Sequence, residues 1–214
     1  MNKELFIFDM DGTILNTIED ITNAVNYILK KNNFPARTVD EVKFFVGNGL
    51  MKTLQRSVPE GTGQTIVDEL FPEFIEYYKS NSNICTKPYD YIADVIRKLK
   101  KAGKHTAVVS NKRDEAVKEL CEVFFLNCFE MALGDMEGVP RKPEPNMVYN
   151  VIEHFGIPKE KVVYIGDSDV DIKTAENAGV DCIAVSWGFR DKAFLQEHGA
   201  STIIDNPKQL LELL

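Results

Sequence analysis

Residues 5–13 read Leu-Phe-Ile-Phe-Asp-Met-Asp-Gly-Thr, an apolar run that ends in two carboxylates and a glycine. Consecutive apolar and aromatic residues of this kind are typical of a strand that is buried on both faces of a sheet. Side chains two residues apart in an extended chain point to the same side, so Asp9 and Asp11 are expected to lie together. Gly12 allows a sharp turn after them. We therefore expect a buried strand whose end carries a pair of carboxylates.

Short apolar runs recur along the chain with helical stretches between them. This alternation predicts an α/β fold, a Rossmann-like parallel sheet covered by helices on both faces. Ligands bind at the carboxyl ends of the strands in such sheets, where several of these runs are followed by polar or glycine-bearing turns. The predicted strands are Leu5–Phe8, Thr106–Val109, Met131–Leu133, Val162–Ile165, Ile183–Val185 and Thr202–Ile204.

The interval between the first two predicted strands is too long for a single crossover helix. It has helical periodicity and is cut into roughly four helices by breakers such as Gly47-Asn48-Gly49. We expect residues 1–15 and 83–214 to form the α/β core domain and residues 16–82 to form an inserted helical cap domain. The alternative is that these helices merely extend the core.

The composition limits the classes of partner. A net charge of −8 and a pI near 5.0 disfavour nucleic acid, because both molecules are negatively charged. The amino terminus is typical of neither a signal peptide nor a membrane span, and the four scattered cysteines are typical of reduced thiols. We expect a cytoplasmic protein without a membrane partner, either a monomer or a homodimer.

Paired carboxylates at a strand end can divide a phosphoryl transfer between them. One can attack phosphorus while the other passes a proton to the leaving oxygen. A calcium loop of the EF-hand type is excluded, because its sixth position would be Ile14 where glycine is needed. A solvated turn without chemistry remains an alternative for Asp9 and Asp11.

A second acidic cluster follows the predicted strand Val162–Ile165. Magnesium prefers oxygen ligands and usually takes one or two protein carboxylates, and Asp167 is best placed to share such an ion with Asp9. Asp169 and Asp171 could instead cap the following helix, whose amino end favours negative charge.

Two further segments could contact phosphate. Ser110 and Asn111 end the second predicted strand, where a hydroxyl and backbone N–H groups can hold phosphate oxygens. Lys142 lies before a predicted helix and could supply a fixed positive charge. The alternatives are an ordinary Ser-Asn turn and a solvated loop lysine.

These four segments, in this order, resemble the haloacid dehalogenase-like superfamily, and the early helical insert resembles the C1-type cap of one of its subfamilies. The resemblance implies that Asp9 is the nucleophile and Asp11 the acid/base of a phosphatase. It also implies that Mg²⁺ is held by Asp9, the carbonyl of Asp11 and Asp167. The phosphoryl group would be surrounded by Gly12, Ser110, Asn111 and Lys142, with Asp171 as a supporting carboxylate.

Within the superfamily the chain is most similar to phosphoglycolate phosphatases, on the basis of Gly47-Asn48-Gly49 and Trp187-Gly188-Phe189-Arg190. The resemblance therefore implies hydrolysis of a small phosphorylated metabolite through an aspartyl phosphate. An inorganic pyrophosphatase, a nucleotidase or a β-phosphoglucomutase of the same superfamily remains open. So does a non-catalytic phosphate-binding or phosphoacceptor protein. A dehalogenase is disfavoured, because it would leave Asp11 and Asp167 unused.

Substrate specificity is expected to come from the cap. The candidates that could receive an anionic leaving group are Asn48, Gly49, Lys52 and Arg56. Lys52 and Arg56 could equally lie on a solvated helix face.

Overall fold

A computed structural model describes residues 3–47 and 49–214 of the chain. Its contacts divide the chain into two compact units. One comprises Met1–Leu15 and Pro88–Leu214, and the other comprises Asn16–Lys87. We call the first the sheet unit and the second the helical unit. The second boundary falls at residue 87, a few residues after the expected end of the insert.

The strands are β1 Leu5–Phe8, β2 Leu15–Asn16, β3 Lys87–Pro88, β4 His105–Arg113, β5 Met131–Asp135, β6 Val162–Gly166, β7 Asp181–Val185 and β8 Ile203–Ile204. Six of them form one sheet in the order β5-β4-β1-β6-β7-β8, and every pairing in it is parallel. The predicted α/β fold with a parallel sheet is confirmed. The short strands β2 and β3, where the chain passes between the units, form a separate two-stranded sheet.

The helices are α1 Ile18–Lys31, α2 Val39–Phe45, α3 Leu50–Ser57, α4 Gln64–Asn81, α5 Ile92–Lys101, α6 Asp114–Phe124, α7 Asn146–Phe155, α8 Asp169–Ala178 and α9 Lys192–Glu197. The first four belong to the helical unit, as the breakers in the sequence predict. The others belong to the sheet unit. Within the described ranges, no helix is both long and apolar enough to cross a bilayer.

Strand β1 lies at the centre of the sheet, and all four of its side chains are fully buried. Phe6 and Phe8 pack into an apolar cluster on one face, whereas Leu5 and Ile7 pack into a cluster on the other. This explains why the strand is a continuous apolar run rather than an alternating one. Burial on both faces fixes the position of the chain end that carries Asp9.

Strand β4 is longer than the sequence predicts. It continues to Arg113, which pairs with Asp135 after a shift in register that follows Val109. Ser110 and Asn111 therefore lie within the irregular end of the strand rather than in a turn after it. The sequence predicts too short a strand because the residues of β4 after Val109 are polar and do not continue its apolar run.

The helical unit is closed by a buried carboxylate near the start of α1. Asp20 accepts hydrogen bonds from the backbone N–H of Cys85 and from both the N–H and the hydroxyl of Thr86. The side chains of Asp20 and Thr86 are almost completely buried. These bonds join the first and last segments of the unit, so that the residues between them form one closed loop of chain.

Candidate active site

The polar strand ends meet at one edge of the sheet. Phe8 of β1 lies opposite Val108 of β4 and Ile165 of β6. The residues that follow these positions therefore emerge side by side. In the sheet, β1 has β4 on one side and β6 on the other, so the order of the strands reverses at β1. The carboxyl end of β1 is therefore a topological switch point, where open α/β sheets bind ligands.

Asp9 is buried at this edge and contacts a buried lysine. Lys142 Nζ lies 2.8 Å from Asp9 Oδ1 and 2.8 Å from Asp171 Oδ1. The same ammonium donates to the hydroxyl of Tyr164 at 3.1 Å. Three oxygen atoms thus surround the ammonium: those of Tyr164 and Asp171 accept its hydrogen bonds, and that of Asp9 forms an ion pair with it. Sequence reasoning places Lys142 in a loop, and only the fold shows that its side chain is 3% exposed and held on three sides.

Tyr164 has no counterpart among the sequence candidates. It lies on β6, its ring is fully buried, and its hydroxyl also bonds to the carbonyl of Val109 at 3.2 Å. The apolar run Val162–Ile165 gives no signal for this role, because an aromatic residue is ordinary in a buried strand.

Asp171 has both of its carboxylate oxygens occupied by donors. Oδ1 contacts Lys142, and Oδ2 accepts from the N–H and the hydroxyl of Ser168 at 3.1 and 2.6 Å. Ser168 is the N-cap of α8, and Asp171 completes a capping box with it. The expectation that Asp169 caps this helix needs correction, because the helix already begins at Asp169. Asp171 joins the helix start to Lys142.

Asp167 is held by the loop after β1 and by the segment after β7. Its Oδ1 accepts from the hydroxyl of Thr13 at 3.3 Å, and its Oδ2 accepts from the N–H of Phe189 at 2.7 Å. A Cβ atom on Gly188 would lie 2.3 Å from the Cβ of Asp167. A Cβ atom on Gly12, where φ is +84°, would lie 2.2 Å from Asp167 Oδ2. Both glycines are therefore required by the close approach of Asp167.

The carboxylates of Asp9, Asp167 and Asp171 form a group that fits a metal ion. One oxygen atom from each lies within 4.8 Å of the others, and all three residues are buried. Oxygen donors alone are the set that a hard divalent cation prefers. Asp171 is bound to the Lys142 ammonium and to the N-cap of α8, whereas Asp167 accepts from a neutral hydroxyl and a neutral backbone N–H. Asp9 and Asp167 therefore remain the candidates for direct ligands.

Burial and mutual repulsion change the acidities of these groups. Burial raises the pKa of Asp9 from 3.8 to about 7, although the Lys142 ammonium lowers it, and the charge of Asp171 adds to the increase. Burial, followed by the charges of Asp171 and Asp9, also raises the pKa of Asp167 well above its ordinary value. Burial opposes the charge of Lys142, but Asp171 and Asp9 outweigh it and raise the pKa of this lysine. Added positive charge would therefore stabilise the carboxylates in their ionised form.

Ser110 and Asn111 lie beside this group in different ways. Ser110 is 2% exposed, and its hydroxyl oxygen accepts from the N–H of Lys112 at 3.3 Å. The side-chain amide of Asn111 bonds to the backbone of Lys142 in both directions, at 3.1 and 2.9 Å. The side chain of Asn111 thus fixes the Lys142 loop, and its backbone N–H is the group that a phosphate could use.

Asp11 is paired with a lysine that the sequence analysis does not single out. Lys112 Nζ lies 2.9 and 3.0 Å from the two carboxylate oxygens of Asp11, and the lysine side chain is 4% exposed. The sequence signal is its position directly after Ser110 and Asn111.

The candidates in the helical unit lie on or before α3. Gly49 is the N-cap of this helix with φ +83°. Lys52 donates to the side chain of Gln55 at 2.9 Å, and Arg56 donates to the carbonyl of Phe45 at 3.0 Å. Both basic side chains are exposed. Asn48 lies outside the described residues.

Comparison with known proteins agrees with this architecture. The chain is 39% identical to a protein of Lactobacillus delbrueckii subsp. bulgaricus, provisionally named a phosphoglycolate phosphatase, whose crystal structure matches with a TM-score of 0.95 and covers 100% of this chain and 99% of that one. It is 29% identical to phosphoglycolate phosphatase 1 of Pseudomonas aeruginosa, across 97% of this chain and 78% of the relative. It is 30% identical to the phosphoglycolate phosphatase of Aquifex aeolicus, across 86% and 85% of the two chains.

The family model described as haloacid dehalogenase-like hydrolase matches residues 6–185. The match includes all of β1 except Leu5, the whole helical unit, and the segments that carry Lys142 and Asp167. The resemblance seen in the sequence is confirmed. The chain belongs to the haloacid dehalogenase-like hydrolases.

Proposed function

We propose that the chain is a magnesium-dependent phosphatase that hydrolyses small phosphate monoesters through an aspartyl-phosphate intermediate, with phosphoglycolate or a close analogue as substrate. The observation that carries this proposal is the contact between Lys142 and Asp9 beside Asp167. It combines a candidate nucleophile, a fixed cation and a second carboxylate. Phosphatase relatives within the family indicate a phosphoric monoester hydrolase.

Asp9 is the proposed nucleophile. One of its oxygens attacks phosphorus, the bond from phosphorus to the leaving oxygen breaks, and an acyl phosphate forms on Asp9. Lys142 lies against the same carboxylate, so its positive charge can stabilise the negative charge of the phosphoryl group during its transfer from the ester to Asp9. Its contacts with Asp171 and Tyr164 keep the ammonium in place, and this preorganisation lowers the cost of stabilising charge in the transition state.

Asp11 is the proposed acid and base. In the first half-reaction it gives a proton to the leaving oxygen. In the second it takes a proton from the water that attacks phosphorus, the bond from phosphorus to the Asp9 oxygen breaks, and phosphate leaves. The hydroxyl of Ser110 and the backbone N–H groups of Gly12 and Asn111 are proposed to hold the remaining phosphate oxygens.

Asp9, Asp167 and the backbone carbonyl of Asp11 are the proposed ligands of Mg²⁺. When bound, the ion would supply positive charge to the phosphate oxygens. The raised pKa values of Asp9 and Asp167 support a cation here, because these neighbouring carboxylates are destabilised in its absence.

The helical unit is proposed to be the cap domain of the enzyme. Gly49, Lys52 and Arg56 remain its candidates for contact with the leaving group. The proposed substrate follows from the names of the relatives, because Asp9, Asp11 and Lys142 are proposed to act on the phosphoryl group and on the leaving oxygen, which all phosphate monoesters share.

A screen of phosphorylated metabolites that includes 2-phosphoglycolate, pyrophosphate, nucleotides and sugar phosphates tests the proposal. Released phosphate is measured with Mg²⁺ present, and products are identified to separate hydrolysis from transfer of phosphate to another sugar position. We expect 2-phosphoglycolate among the preferred substrates and acid-stable label from ³²P-ester on wild-type protein but not on Asp9→Asn. Absence of phosphate release from every ester would overturn the proposed function.

A further inference from the structure

A buried lysine beside Asp11 is not used by the mechanism proposed above. Long basic side chains normally keep their charge in water, yet the side chain of Lys112 is 4% exposed. Its ammonium lies about equally close to both oxygens of Asp11, at 2.9 and 3.0 Å. The pair lies entirely within the sheet unit. Because Lys112 contacts the proposed acid, its charge lies close to any substrate group that Asp11 contacts.

Lys112 and Lys142 contact carboxylates with different proposed roles. Lys142 contacts Asp9, the proposed nucleophile, and Asp171. Lys112 contacts Asp11, whose proposed partner is the leaving oxygen. Lys142 therefore contacts the carboxylate that is proposed to receive the phosphoryl group, and Lys112 contacts the carboxylate that is proposed to protonate the leaving group.

The distance from Lys112 to the leaving oxygen can be bounded. A general acid lies about 2.6–3.2 Å from the oxygen that it protonates. Since Lys112 Nζ is 2.9 Å from one oxygen of Asp11 and 3.0 Å from the other, it lies within about 6 Å of the leaving oxygen whichever carboxylate oxygen carries the proton. A carboxylate on the carbon next to the leaving oxygen can bridge this gap.

We propose that Lys112 forms a subsite for a negatively charged leaving group and thereby favours phosphate esters of 2-hydroxycarboxylates over phosphate esters of neutral alcohols. This inference rests on the proposed function, because it takes Asp11 as the acid that faces the leaving oxygen. The ammonium is shared between Asp11 and the substrate carboxylate, and the flexible lysine stem allows the small shift that this requires. Burial strengthens the attraction, because water screens it less than at the surface.

The basic residues of the helical unit are weaker candidates for this subsite. Lys52 and Arg56 are exposed and bond within their own unit, to Gln55 and to the Phe45 carbonyl. An exposed charge contributes little to binding, because solvent and salt screen it. The buried position of Lys112 favours the sheet unit as the source of anion recognition.

A matched pair of substrates isolates the subsite. 2-Phosphoglycolate and 2-hydroxyethyl phosphate have similar size, but only the first carries a carboxylate. We expect Lys112→Met to lower the ratio of kcat/KM for 2-phosphoglycolate to that for 2-hydroxyethyl phosphate by about 10- to 100-fold, the effect of one charge-assisted contact, with KM carrying most of the change. Lys112→Arg should recover most of the ratio, because it keeps the charge. Lys118→Met is the control, since Lys118 is an exposed lysine that pairs with Asp114 on α6.

An unchanged ratio overturns the inference, even if Lys112→Met lowers turnover of both substrates, because a lysine that only orients Asp11 would affect both equally. A ratio that falls with Lys52→Ala and Arg56→Ala but not with Lys112→Met also overturns it. Binding supplies a readout that does not need turnover. With Ca²⁺ in place of Mg²⁺, 2-phosphoglycolate should raise the Tm of the wild type more than 2-hydroxyethyl phosphate does, and Lys112→Met should remove that difference. If wild type turns over neither ester, the proposed function fails, and an equal rise in Tm with both ligands then refutes the subsite independently.

Discussion

Lys142 Nζ lies 2.8 Å from Oδ1 of Asp9 inside the sheet unit, and both side chains are almost completely buried. A buried ion pair contributes little net stability when its desolvation is counted, but removal of one partner leaves the other without compensation. A role in the proposed reaction therefore explains this pair better than a contribution to the free energy of folding does. It connects the centre of the sheet with the loop before α7.

Replacement of Asp9 by asparagine tests the nucleophile. We expect Asp9→Asn to retain less than about a hundredth of the wild-type kcat, a loss of more than about 3 kcal/mol of transition-state stabilisation, because an amide does not form the acyl phosphate. Single-turnover kinetics with saturating Mg²⁺ gives this number, and circular dichroism confirms the fold. A variant that keeps more than about a hundredth of the activity would contradict the covalent mechanism.

The acidity of Asp9 predicts a pH-dependent stability in the metal-free protein. Burial raises its pKa from 3.8 to about 7, so between these values the folded state holds a proton that the unfolded state has released. Stability is therefore lost as pH rises from about 4 to about 7. Asp9→Asn has no such group, and the cost of leaving Lys142 without this partner does not vary over this pH range. The stability of Asp9→Asn relative to wild type should therefore increase as pH rises.

Urea unfolding in the presence of EDTA measures this difference. We expect the free energy of unfolding of Asp9→Asn, measured relative to wild type, to increase by about 1–3 kcal/mol between pH 5 and pH 8. The control is Asp40→Asn, which changes an exposed carboxylate in the helical unit. A difference in the free energy of unfolding that is the same at both pH values would mean that burial does not destabilise the ionised form of Asp9.

Removal of divalent metal should abolish activity. Asp9, Asp167 and substrate phosphate bring several negative charges together, and without a cation their repulsion opposes binding. We expect EDTA to reduce phosphate release to background and Mg²⁺ to restore it, whereas Ca²⁺ should fail, because its larger and looser coordination disturbs in-line attack. Full activity in excess EDTA would indicate a metal-free reaction.

Gly188 should be intolerant of a side chain because Asp167 packs against it. A Cβ atom there would lie 2.3 Å from the Cβ of Asp167 and 2.4 Å from the carbonyl of Gly12, so Asp167 or the loop after β1 must move. We expect Gly188→Ala to raise the Mg²⁺ concentration for half-maximal activity by at least about tenfold, since support around a ligand is worth 10- to 100-fold in affinity. Gly63→Ala is the control, because no atom lies within 4 Å of a Cβ at that position. Equal metal dependence in the two variants would show that the Asp167 position tolerates displacement.

The helical unit provides a separate test of specificity. If Lys52 and Arg56 meet the leaving group, their double replacement by alanine should lower turnover of 2-phosphoglycolate by about 10- to 100-fold relative to p-nitrophenyl phosphate. If Lys112 is the anion subsite, the double variant should retain the selectivity of the wild type. Kinetics on both substrates distinguish these outcomes, and equal losses on both would point to damage to folding or closure.

The sequence by itself determined the parallel sheet, the four helices of the insert and the strand ends at which polar residues gather. Residues 5–13 sufficed for the central strand, because an uninterrupted apolar run fits a strand covered on both faces, and Asp9 follows it directly. Local rules also gave the helix breaks of the insert, since glycine and proline act through the backbone of their own neighbourhood.

Only the tertiary structure decided which charges meet. Lys112 and Asp11 are separated by 101 positions in the chain, and Lys142 and Asp171 by 29, so no local pattern pairs them. The register of β4 and β1 brings the first pair together, and the cap of α8 holds Asp171 where Lys142 reaches it. Burial also raises the pKa values of Asp9 and Asp167, because the protein interior excludes the water that would solvate their charge. Sequence alone names the charged residues, whereas the fold determines which of them lie beside the reacting atoms.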